Sequence, residues 1–160
     1  MSVYLSVAPP DGFTRWGAPE WDRWLKDHPW EAAERLCSTG DWAIFLYQLR
    51  MNSQRGRKRF EPHFEALVNE RPLEAQAADD VLAGLQLAQE ELASVPASLL
   101  LEQNNQFASP EDLQSMLAAA QNRVKRAPTV ADVWAELLAR VIALLESAGQ
   151  QKRGVYFGNV

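Results

Sequence analysis

The 160-residue chain carries 16 Lys and Arg against 21 Asp and Glu, a formal net charge of −5, with 47% hydrophobic and 23% charged residues. That balance excludes a disordered or fibrous class and matches one soluble domain, residues 1–160, since a chain this long buries roughly 68–70% of its unfolded surface without metals or disulfides. Cys37 is the only cysteine, which excludes an internal disulfide, disfavours a cysteine-rich zinc site and fits a reducing cytoplasm.

The chain starts with "SVYLSVA", whose Val, Tyr and Leu predict a strand that Pro9 and Pro10 end. The same segment lacks a basic start, so no secretory signal is expected. Pro19 then suits the first turn of a helix on which Trp21, Trp24 and Leu25 share a face. Pro29 opens a second helix, with Trp30, Ala33, Leu36 and a small buried Cys37 on one side and Gly40 as its left-handed cap. Asp41 caps the apolar stretch "WAIFLYQL", residues 42–49, which fits a buried helix or a buried strand, the helix being favoured.

"RMNSQRGRKRF", residues 50–60, reads as a glycine-centred basic loop holding Arg50, Arg55, Arg57, Lys58 and Arg59. It carries +5 in a chain of −5, so the rest carries −10. From Pro72, the spacing of Leu73, Ala77, Val81, Leu85, Ala88 and Leu92 predicts a long amphipathic helix that tolerates Gly84 at about 1 kcal/mol and stops at Pro96. That proline also interrupts the longest uncharged run, "LASVPASLLL", which at ten residues is far short of the roughly 18 a membrane helix needs.

"EQNNQF" reads as a polar connection. Ser109, Pro110 and Asp112 then start a helix carrying Leu113, Met116, Leu117, Ala120 and Val124. Thr129 and Asp132 form a capping-box pair ahead of Val133, Trp134, Leu137, Leu138, Val141, Leu144 and Leu145, and Gly149 supplies the stop. The short "RAPT" turn joins these two helices as an antiparallel hairpin. "GVYFGNV" is a closing strand, and it pairs with the opening one because a lone strand leaves backbone groups unbonded. The expected fold is mainly α, a single-domain bundle of about six or seven helices with a small sheet formed by the N- and C-terminal strands.

No zinc, nucleophile-elbow, phosphate-loop or EF-hand signature is present. No catalytic residue, metal ligand or cofactor is therefore assigned. In "EPHFE", Glu61 and Glu65 share a helical face that His63 does not, which weakens a metal site there. Adjacent Asp79 and Asp80 point apart on a helix and fit a solvated face. Of the tryptophans, Trp21, Trp24, Trp42 and Trp134 belong to the core, whereas Trp16 and Trp30 sit beside Gly or Pro at segment edges, where exposure favours contact.

The leading expectation is a non-catalytic cytoplasmic protein-interaction module, such as an inhibitor, an immunity or antitoxin-like protein, or an adaptor. Its candidate contact residues are Trp16, Trp30, Arg55, Arg57, Lys58, Arg59, Glu90 and Glu91. Residues 72–160 hold eleven acids against six basic side chains, so a basic protein partner fits that half and no membrane contact is expected. The alternative is an enzyme or small-ligand site near His63, drawing on Glu61, Asp41 and Arg59. Nucleic-acid binding through residues 50–60, with Phe60 stacking on a base, is a third reading that the overall acidity disfavours.

Overall fold

The structure is a computed structural model and describes residues 1–10, 18–31, 33–68, 71–97, 99, 122 and 128–159. It is mainly helical with a small four-stranded antiparallel sheet. In chain order the elements are β1 (Ser2–Val7), α1 (Pro19–Asp27), a 3-10 turn (Pro29–Glu31), β2 (Glu34–Ser38), α2 (Thr39–Asn52) and α3 (Gln54–Phe60). A second 3-10 turn (Glu61–His63) leads to α4 (Phe64–Val68), β3 (Pro72–Leu73), α5 (Ala75–Leu92), α6 (Val130–Val133), α7 (Ala135–Gln150) and β4 (Val155–Asn159). Trp16, the "EQNNQF" connection, the helix expected from Ser109 apart from Asn122, and the first half of the hairpin turn, residues 126–127, lie outside the described residues, as does the Trp30 side chain.

The strand order is β2-β1-β4-β3. Five residue pairs, from Val3 with Asn159 to Val7 with Val155, join β1 to β4, so both ends of the sequence lie at the centre of the sheet. The sheet is not made of those strands alone. Residues 34–38, expected in a helix, form β2, because β1 has a second edge whose backbone groups need partners. Arg140 on α7 supports β2 by donating from Nη1 to the carbonyls of Arg35 and Leu36, each at 3.2 Å.

One face of the sheet contributes Val3, Leu5, Val155 and Phe157 to the main core, where they meet Trp42, Phe45 and Leu49 of α2, Val81 and Leu85 of α5, and Leu138 and Val141 of α7. On the other face Trp21 of α1 buries itself against Ala8 and Tyr156. Trp24, expected in the core, is only half-buried at the rim.

Capping explains several boundaries. Residues 42–49 are helical, as favoured, but the cap is Ser38 rather than Asp41: the Asp41 amide donates to Ser38 Oγ at 3.0 Å, and Gly40 lies inside the helix. The short span from Pro72 to Leu73 pairs with β4 instead of starting α5. The capping box of Thr129 and Asp132 forms with both of its bonds. Gly149 does not stop α7, which runs to Gln150; the left-handed residue is Lys152, with φ 53°. A Cβ on Gly149 would lie 2.8 Å from Asp79 Oδ1, so that glycine allows α5 and α7 to approach.

The segment read as a basic loop is helix α3, which crosses α5 at a pair of glycines. A Cβ on Gly56 would stand 2.5 Å from the Gly84 carbonyl oxygen, and one on Gly84 would stand 3.0 Å from the Gly56 oxygen. Two backbones in contact leave no room for a side chain, which accounts for a glycine in the middle of α5 despite its helix penalty.

Gly56→Ala therefore lowers stability by about 2–3 kcal/mol through overpacking, whereas Gly40→Ala, which meets only Ser38 Oγ at 3.9 Å, leaves stability unchanged or raises it by up to about 1 kcal/mol. Urea unfolding of the two variants beside the wild type checks both signs.

Candidate functional site

α3 starts beside buried Ser53 and ends at buried Phe60, with Gly56 buried between them. Ser53, fully buried, caps it by accepting from the Gly56 amide at 3.1 Å. Glu91 of α5 closes the same end, accepting from the Ser53 hydroxyl and from the amides of Arg55 at 3.1 Å and Gly56 at 3.4 Å. Burial opposes ionisation of Glu91, but these donors outweigh it and hold its carboxyl below the usual carboxylate range. A carboxylate at a helix N-terminus also complements the helix dipole, as Arg57, Lys58 and Arg59 do in the last turn.

With its start pinned, α3 presents Arg55, Arg57, Lys58 and Arg59 outward, all exposed. Arg55 faces Glu90 at 3.6 Å, and Arg57 reaches Glu61 at 3.2 Å. Glu61 also takes two bonds from Arg50 at the end of α2, at 2.5 and 3.1 Å. Lys58 and Arg59 make no ion pair among the described residues. Three acids, Glu61, Glu90 and Glu91, thus partly neutralise five cations, and the surface stays basic.

Beside this surface, α2 and α4 enclose a cleft of about 200 Å³. Trp42, Leu46, Tyr47 and Phe64 line it, with Val68 and Arg50 at its edges. Trp42 is fixed by its indole N–H, which donates to the Leu67 carbonyl at 2.9 Å, and Arg50 lies 4.4 Å over the Phe64 ring. Sequence reasoning missed this cleft. Its only trace was an apolar stretch ending in arginine, and the Phe64 wall comes from a different helix.

The other candidates disperse. His63 contacts Asp80 of α5 at 3.3 Å, Asp41 is bound to Ser38, Glu61 is held between two arginines, and Arg59 packs its Cβ toward Gly84. These four groups keep separate partners. Of the acidic contact candidates, Glu91 caps α3, whereas Glu90 stays exposed and faces Arg55.

A second polar centre, unforeseen in the sequence, holds the chain ends together. Arg153, 6% exposed, donates from Nε to the Ala8 carbonyl at 2.6 Å and from its two Nη atoms to Glu31 at 2.9 and 2.7 Å. The Trp24 indole N–H donates to the same carboxylate at 2.6 Å, and His28 stacks on Trp24 with ring centroids 3.7 Å apart. The hydrogen bonds from Arg153 lead in lowering the Glu31 pKa from 4.5 to about 2. In β2, beside the opposite end of β1, burial and then the Asp41 charge push the Cys37 thiol up to about 11, which keeps it protonated and poorly nucleophilic at neutral pH.

Among the described residues, no helix is long and apolar enough to cross a membrane. No protein-family model, curated protein or solved structure matches the chain.

Glu31 stays ionised in the folded protein down to about pH 2, but in the unfolded chain it protonates below about 4.5. Its contribution to stability is therefore complete above pH 4.5 and is lost as the pH falls toward 2. Unfolding followed by circular dichroism across that window shows a drop in midpoint for the wild type, and Glu31→Gln, already destabilised by about 3 kcal/mol at pH 7, shows a smaller one.

Proposed function

We propose that this protein is a cytoplasmic protein-interaction module that binds an acidic protein partner through the outer face of α3. The single observation that carries this reading is the rigid presentation of Arg55, Arg57, Lys58 and Arg59. The helix is fixed by backbone contact at Gly56 and Gly84 and capped by Glu91, yet it turns its charged side chains to solvent. A surface charge cluster on a mobile loop loses much of its gain to ordering, and one on a fixed helix does not.

The sign of the partner follows from which charges remain available. Glu91 is engaged by α3 itself, and Glu90 is matched by Arg55 in an exposed pair, so neither adds unbalanced negative charge beside α3. Lys58 and Arg59 stay open, and they favour an acidic partner. The surface is small and flanked by acids, unlike the broad basic face of a nucleic-acid domain. Stoichiometric binding of this kind suits an inhibitor, an immunity protein or an adaptor. The lone, half-buried Cys37, with its raised pKa, is compatible with a reducing compartment.

The test compares wild-type protein with the double variant Lys58→Glu/Arg59→Glu, each tagged, in host extract at about 50 and about 300 mM salt. The wild type retains an acidic protein at the lower salt, with recovery unchanged by nuclease, and the variant binds it about tenfold more weakly. Equal recovery by both proteins overturns the reading, as does recovery that nuclease abolishes.

A further inference from the structure

The cleft between α2 and α4 and the basic face of α3 form one continuous surface, because Glu61 bonds Arg50 at the cleft and Arg57 on α3 at once. We infer that the cleft is an anchor pocket for one bulky apolar side chain, preferably aromatic, borne by an acidic partner segment that continues along α3. This rests on the function proposed above and specifies how the partner is held.

Size comes first. At about 200 Å³ the cleft lies below the roughly 300–1,000 Å³ of ordinary small-molecule sites, and it is on the scale of one large side chain. Its chemistry comes second. Trp42, Tyr47 and Phe64 offer ring faces and edges, which favour an aromatic guest in offset or edge-on contact.

Its margins decide between a small molecule and a protein segment. Val68 is 45% exposed at the edge of the cleft, and Met51, one turn beyond Tyr47 on α2, is 54% exposed. Apolar surface that continues outward past a pocket suits a guest with neighbours on both sides, which is the arrangement of an interface anchor inside a ring of flanking contacts.

Charge gives the flanking residues. Arg50 spends Nε and Nη2 on Glu61, while its Nη1 has no hydrogen-bond partner among the described residues. Arg50 and Arg57 together exceed Glu61 by one positive charge, and Lys58 and Arg59 stand next along α3. An Asp or Glu beside the anchor would meet this excess, with a carboxylate accepting from the free Arg50 N–H.

The experiment uses the full chain, isotope-labelled, and two synthetic nine-residue peptides, four glutamates arranged about a central Phe in one and a central Ala in the other. Both peptides shift the amide signals of Arg55, Arg57, Lys58 and Arg59. Only the Phe peptide shifts those of Ala43, Tyr47 and Val68, and it binds about tenfold more tightly. Ala43→Phe, which fills the cleft from an exposed position on α2, removes the difference between the peptides and keeps the α3 shifts. If that variant folds poorly, the peptide comparison on the wild-type chain carries the test alone. Equal binding with no shifts in the cleft overturns the anchor but leaves the basic face standing. Absence of α3 shifts with either peptide overturns the function on which the anchor rests. Binding of N-acetylphenylalanine amide as tight as that of the Phe peptide makes the site a small-molecule pocket and overturns the anchor too.

Discussion

Helix α3 can lie where it does only because neither Gly56 nor Gly84 carries a side chain, and much of the surrounding surface follows from that contact. With the two backbones touching, Ser53 and the first amides of α3 come within reach of Glu91, which caps them. The chain leaving α3 then turns at Glu61–His63, where Glu61 collects Arg57 from α3 and Arg50 from α2. Phe64 starts α4 immediately afterwards and closes the cleft over Trp42. A side chain at either glycine would separate the helices and loosen the cap, the arginine cluster and the cleft wall together.

The opposite side of the protein solves a different problem. Strands from the two ends of the sequence pair at the centre of the sheet, and α1 must be held across its outer face. Arg153 performs this at low exposure by satisfying a backbone carbonyl of the first segment and the carboxylate of Glu31 simultaneously. A buried guanidinium is costly unless its donors are used, and here Nε and both Nη atoms are bonded. The same carboxylate fixes Trp24, so one acid couples a helix, a turn and the approach to β4. The acidic and basic residues of this protein thus divide into those that tie the fold, such as Glu31, Glu91 and Arg153, and those left to solvent, such as Lys58 and Arg59.

Elements whose signals are local were legible from the sequence. Pro19 and the Trp21, Trp24, Leu25 spacing marked α1, the repeat of Val81, Leu85, Ala88 and Leu92 marked α5, and the Thr129 and Asp132 pair marked the start of α6. The β-rich ends marked β1 and β4. Each depends on residues within a turn or two of one another, or on alternation along a few positions, and such patterns survive in any tertiary setting.

What failed needed a distant partner. Residues 34–38 carry an acceptable helical pattern and become a strand only because β1 offers an open edge. The basic segment looked like a loop because a glycine among arginines is a turn signal, until Gly84, far along the chain, supplies a backbone for it to touch. Glu91 reads as surface charge by periodicity and proves to be a cap by proximity. By itself the sequence determined the mainly helical class, most helix positions and the concentration of positive charge at residues 50–60. Only the tertiary structure decided which charges are consumed internally, which stay free and where a cleft opens beside them, since these depend on which distant atoms come within hydrogen-bonding or contact range.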